Sequence, residues 1–214
     1  MTQNEPISSL THFAAFLLSI AGLVLLVVFA SLYGRPAHIV GFSIFGSALM
    51  LLYFSSALYH FISKTHALKN IFRKIDHAMI YILIAATYTP LALAIPQRGW
   101  GWSIFGIVWG LASLGIMAKL VKTNEKKWLS PILYIAMGWF IIIALPILIK
   151  TFSPIALFWL FLGGLLYTSG VIFFALEKLL PKKGLVGMHE IFHLFVMGGS
   201  FSHFWFMFKY VLYI

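Results

Sequence analysis

The sequence predicts an all-α integral membrane protein: a seven-transmembrane helix bundle with a cytoplasmic N-terminus and an extracytoplasmic C-terminus. Three observations carry that expectation. Of the 214 residues, 62% are hydrophobic and only 9% charged, whereas a soluble domain has about a quarter of its residues charged. Seven apolar stretches are each long enough to cross a hydrocarbon core of ~30 Å. The basic residues between those stretches fall mostly on one side.

Taken in order, the first stretch is Phe13–Tyr33. The twelve residues before it hold no Lys or Arg, and a secretory signal needs a basic segment ahead of its apolar core. Residues 1–12 are therefore expected to form a short cytoplasmic tail, and residues 13–214 the membrane domain with its first helix retained. The next spans are Ile39–His60, Ala78–Ile95, Trp100–Leu120, Trp128–Ile149, Pro154–Leu176 and His189–Phe208. Trp100, Trp102 and Trp128 sit near proposed ends, as interfacial anchors do. Pro90 and Pro146 fall inside spans and predict kinks. The pairs Gly163-Gly164 and Gly198-Gly199 predict close helix contacts. Helices are expected throughout because a spanning helix satisfies its own backbone hydrogen bonds.

Direction follows from charge. Connections 2–3, 4–5 and 6–7 hold Lys64, Lys69, Arg73 and Lys74; Lys119, Lys122, Lys126 and Lys127; and Lys178, Lys182 and Lys183. The opposite side holds only Arg35, Arg98, Lys150 and Lys209. The richer side is assigned to the cytoplasm. The same asymmetry accounts for the net charge of +10 without a nucleic-acid partner; membrane lipids are the expected partners, and oligomeric state is open. The orientation is opposite to that of G-protein-coupled receptors.

With no cysteine in the chain, disulfides, iron–sulfur clusters and thiolate zinc sites are excluded. Ionisable groups inside spans then carry the functional signal. His189 and His193 are one turn apart at the start of the last span, the spacing by which one helix supplies two ligands to a metal. Given the expected orientation, His60 ends helix 2, Asp76 starts helix 3 and His189 starts helix 7, all at the cytoplasmic end. Three neutral imidazoles plus water form a recurrent open zinc site, in which the water's pKa falls toward ~7. Asp76, one of five acidic residues, suits the role of proton acceptor. Ser56, one turn before His60, suits support of the site or of an oxyanion.

Plainer readings stand beside these. His60 serves equally as an interfacial histidine, Asp76 as a helix N-cap, Ser56 as a donor to its own helix, and the His pair as lining of a hydrated vestibule. His189-Glu190-x-x-His193 also matches the zincin pattern, but zincins carry it in a soluble cleft, and Glu190 lies about 100° round the helix from His189. His77 reads as a neighbour of the site or an interfacial residue, and His66 as a loop residue. His203 shares a face with His189 but lies ~21 Å along the helix, too far for the same site; with Ser200 it marks a polar path or sits at the outer interface.

Ser56-Ala-Leu-Tyr-His60, Asp76-His77-Ala78, Tyr88-Thr89-Pro90 and His189-Glu190-Ile191-Phe192-His193, in this order across seven spans, resemble the progestin and adipoQ receptor superfamily and within it the bacterial hemolysin III branch. The resemblance implies a zinc ion held by His60, His189 and His193, a water between it and Asp76, and Ser56 nearby. It also implies a bacterial plasma-membrane location. Relatives are associated with hydrolysis of lipid amides, with lysis of red cells through pores, and with membrane-lipid homeostasis. Three functions follow as expectations: a zinc-dependent, ceramidase-like hydrolase of a membrane lipid amide, with Asp76 and Ser56 catalytic; a pore-forming cytolysin; or a non-catalytic sensor with structural zinc.

Overall fold

The computed structural model describes residues 5–121, 129–177, 179–180 and 186–214. The described residues are helical, without strands, and seven helices are long and apolar enough to cross a membrane. They run Pro6–Tyr33, Pro36–Phe61, Lys69–Ala94, Arg98–Val121, Leu129–Thr151, Pro154–Leu176 and Met188–Tyr213, here helices 1 to 7. Trp128 and the basic residues Lys122, Lys126, Lys127, Lys178, Lys182 and Lys183 lie outside the described residues.

Two starts differ from expectation. Helix 1 begins at Pro6, seven residues before the expected Phe13, so most of the expected tail is helical. Helix 3 begins at Lys69, so Asp76 neither opens it nor caps it; it sits two turns inside. On helix 1 polar residues continue the helix beyond its apolar stretch because one face packs inward, and on helix 3 Lys69 and Lys74 bond to the Ile62 and Leu120 carbonyls of neighbouring segments. Ser8 and His12 are buried on helix 1.

Helix 3 is the centre of the bundle. In it 67% of the most apolar window is buried, against 22% for helices 1, 4, 5 and 6, whose remaining apolar surface faces outward as a membrane protein requires. Helix 3 passes through Pro90 without ending. Helix 2 approaches it closely there, and Gly41 makes that possible: a Cβ on Gly41 would stand 2.6 Å from the Pro90 Cα.

Helix 5 is broken. Its α-helical part stops at Trp139, Phe140–Ala144 is a 3₁₀ stretch, and α-helix resumes at Leu145 with Pro146 in its first turn. Proline removes one hydrogen bond and crowds the carbonyl four residues earlier, here that of Ile142. Tyr88 of helix 3 satisfies the loosened backbone. Its hydroxyl donates to the Met137 and Gly138 carbonyls at 2.8 and 2.7 Å and accepts from the Ile141 N–H at 2.9 Å.

The expected glycine contacts are present between helices 6 and 7. A Cβ on Gly163 would collide with the His203 ring, and one on Gly199 would lie 3.0 Å from Tyr167.

Candidate metal centre

Helix 2 ends, and helices 1, 3 and 7 begin, at the same end of the bundle. Helix 2 carries Ser56 and His60 one turn apart on a shared face, both buried. Helix 7 carries His189 and His193, also one turn apart. The Nε2 atoms of His60 and His189 are 3.3 Å apart. The His193 ring centroid lies 4.9 Å from that of His60 and 4.7 Å from that of His189. One ligand nitrogen from each of the three falls within 4.8 Å of the others.

The outer ring nitrogens test whether this cluster suits a metal. His60 donates through Nδ1 to Glu5 Oε2 at 2.6 Å, and His189 through Nδ1 to Glu177 Oε2 at 3.1 Å. His193 Nδ1 faces the Thr11 hydroxyl at 3.4 Å, and that hydroxyl donates to the Ser8 carbonyl at 3.0 Å. A carboxylate on Nδ1 fixes the tautomer whose Nε2 lone pair is free for a metal, and it raises ligand basicity. The 3.3 Å separation also matches two nitrogens bound at ~2.0–2.1 Å to one tetrahedral ion. The three residues fit a metal ion.

Glu5 is tied down on both sides. Its Oε1 pairs with Lys64 Nζ at 2.9 Å. The hydrogen bond from His60, helped by Lys64, holds the Glu5 carboxyl well below the usual carboxylate range.

Asp76 and Ser56 face the same space as the three histidines. The Ser56 hydroxyl lies near the Asp76 carboxyl. All five residues line one cavity of about 620 Å³. Beyond the histidines the cavity wall is largely apolar, with Ile80, Leu83 and Ile84 of helix 3, and it reaches His203 and Phe206 on helix 7.

The remaining polar residues fall into place around this frame. Glu190 accepts from the Ser8 hydroxyl at 3.2 Å and from the Gly187 N–H at 2.8 Å. It caps helix 7 and joins it to helix 1. His66 is a loop residue whose Nδ1 accepts from the Leu68 N–H. His77 lines the cavity, and its carbonyl accepts from the Tyr134 hydroxyl. His203 is outside the metal cluster and donates to the Leu160 carbonyl at 3.1 Å. Ser200 accepts and donates between the hydroxyls of Tyr53 and Tyr167, at 2.6 and 2.8 Å.

A profile of haemolysin-III related proteins matches residues 1–204. The chain belongs to the haemolysin-III related family. It is 42% identical over 202 residues to a hemolysin-3 homolog of Bacillus subtilis (strain 168), covering 94% of this chain and 92% of that one. It is 39% identical over 215 residues to hemolysin-3 of Bacillus cereus, covering 99% and 95%. A more distant similarity, 28% over 180 residues, covers 78% of this chain and 69% of the human monocyte to macrophage differentiation factor. That match supports the wider resemblance to the progestin and adipoQ receptor superfamily. Seven apolar spans within this family make the chain a multi-pass protein of the plasma membrane.

In this haemolysin-III related fold, helix 1 supplies residues that the apolar pattern alone misses. Ser8, Thr11 and His12 on helix 1, and Glu5 just before it, touch Glu190, His193 and His60. The signal was a polar stripe at spacings of three and four, running on through Ser19. Glu177, at the end of helix 6, gave no pattern to read; only the fold brings it to His189.

Proposed function

We propose that this protein is a zinc-dependent hydrolase of a membrane lipid, acting at an amide bond and serving membrane-lipid homeostasis. The observation that carries this reading is the placement of Asp76 and Ser56 on the same cavity as three imidazoles, two of them held by carboxylates. His60, His189 and His193 would hold the ion, and a His₃ set with an open position suits zinc. When bound, zinc supplies a Lewis acid that polarises a carbonyl and makes water nucleophilic near neutral pH. Asp76 takes a proton from the attacking water and passes it to the leaving amine. Ser56 donates to the charge developing on the carbonyl oxygen. Glu5 and Glu177 keep two of the rings oriented. The apolar depth of the cavity receives an acyl chain, and the positive-inside assignment puts its mouth at the cytoplasmic leaflet.

The test is release of fatty acid from a panel of lipid amides by purified protein in mixed micelles. Turnover is expected to vanish with a chelator and return with added zinc. Turnover indifferent to chelation, or none across the panel with metal bound, contradicts the reading. The carboxylate on His60 has its own signature. Glu5→Gln is expected to weaken metal binding by roughly 10–100-fold, as measured by competition with a chelating dye.

The name of the Bacillus cereus relative raises lysis as a second reading. A water path through one chain needs polar lining to the far end. Past His203, helix 7 instead buries Phe206, Met207, Val211 and Leu212 almost completely. That apolar end favours the closed, lipid-holding chamber.

A further inference from the structure

His12 lies among the metal-site residues and touches His193 by its ring face alone. It is 3% exposed, and neither ring nitrogen has a hydrogen-bond partner. The other two buried histidines with an unpartnered nitrogen, His38 and His203, each use their second nitrogen: His38 accepts from the Arg35 N–H and His203 donates to the Leu160 carbonyl. Burying a polar group without partners costs free energy, so a histidine is normally buried for the sake of its edge. What His12 offers is its face. Its ring stacks on that of His193, with centroids 3.6 Å apart and planes 12° from parallel. Tyr53 meets it edge-on at 5.1 Å and 77°.

That stack bears on the metal cluster directly. His193 is 1% exposed, and its Nδ1 contact, 3.4 Å to the Thr11 hydroxyl, is longer than the carboxylate contacts of His60 and His189. Of the three rings it has the weakest edge support. The orientation of an imidazole about its side-chain torsions needs two constraints, one on the edge and one on the face. Thr11 supplies the first and His12 the second, both from one turn of helix 1. A ring that coordinates a dication also becomes electron-poor, and an electron-rich ring face attracts it. The contact is therefore stronger in the metal-loaded protein than in the metal-free one.

We propose that His12 is a positioning residue of the metal centre, holding the His193 ring by face-to-face stacking and so raising metal affinity. The proposal rests on the metal-centre reading above. It is tested by zinc affinity, measured with a competing chelating dye, on the full chain in detergent, for the wild type, His12→Ala and His12→Phe. The metal-free thermal unfolding midpoint of each serves as the folding control. His12→Ala is expected to lose tenfold or more in affinity, in line with the loss of other supports of a metal ligand. His12→Phe, which keeps a ring face, is expected to stay within about threefold of wild type on the same scale. Equal affinity in His12→Ala and wild type overturns the proposal and leaves His12 as packing. A Phe variant as weak as the Ala variant also overturns it, because nitrogen chemistry rather than the face would then be required. If the wild type binds no zinc, the parent reading fails instead, which separates the two failures.

Discussion

Asp76→Asn is expected to lower turnover of a lipid amide by roughly 10²–10⁴-fold, the usual contribution of a positioned acid–base group, while metal content stays at the wild-type level. Asp76 comes from helix 3 and is absent from the group of nitrogens that can share one ion. Its carboxyl lines the same cavity as Ser56 and the three histidines. Asparagine has nearly the same shape, so packing around helix 3 is kept, but it cannot take a proton. Steady-state release of fatty acid beside metal analysis of the same samples checks both halves. Loss of metal in the variant would make Asp76 a ligand. Unchanged turnover would remove it from the chemistry and favour a structural ion.

His193→Ala is expected to lower metal affinity by more than roughly 100-fold, beyond the range reached by removing a supporting residue, so that protein purified without chelator carries almost no metal. Two neutral imidazoles from different helices would remain, and a structural or catalytic zinc site needs at least three protein ligands. The fold should survive. His193 lies in the second turn of helix 7, whose anchoring to helix 1 also uses the Ser8–Glu190 contact and whose far end is buried through Phe206 and Met207. Metal analysis together with the far-ultraviolet circular dichroism of wild type and variant checks this. Full metal content in a folded His193→Ala protein would mean that the ion sits elsewhere.

The architecture was legible in the sequence because the bilayer imposes a length and a hydropathy on each helix. All seven spans follow from that, and so does the meeting of His60, His189 and His193, since alternating helices bring these three residues to one end. Helix starts were less legible. Lys69, Arg73 and Lys74 look like a loop by composition, yet they belong to a helix that begins two turns before Asp76. Ser8, Ser9, Thr11 and His12 look like a tail, yet they are the first two turns of helix 1 packed against the site. On helix 1 the polar residues face a polar interior, and on helix 3 Lys69 and Lys74 bond to the Ile62 and Leu120 carbonyls at neighbouring helix ends, partners that hydropathy does not register. Pro146 predicted a kink, but the 3₁₀ stretch begins six residues earlier at Phe140, where the Tyr88 hydroxyl collects the loosened backbone groups. Glu5 and Glu177 have no local signature for their pairing with His60 and His189, since each pairing depends on helices far apart in the chain.

The most direct test of the central claim is the metal in wild-type protein, purified in detergent without chelator and examined by elemental analysis and X-ray absorption at the zinc edge. One zinc per chain is expected, with three imidazole nitrogens and a water-derived oxygen ligand in the remaining position. Protein that is folded and free of stoichiometric metal, and that takes up none when zinc is supplied, would contradict it.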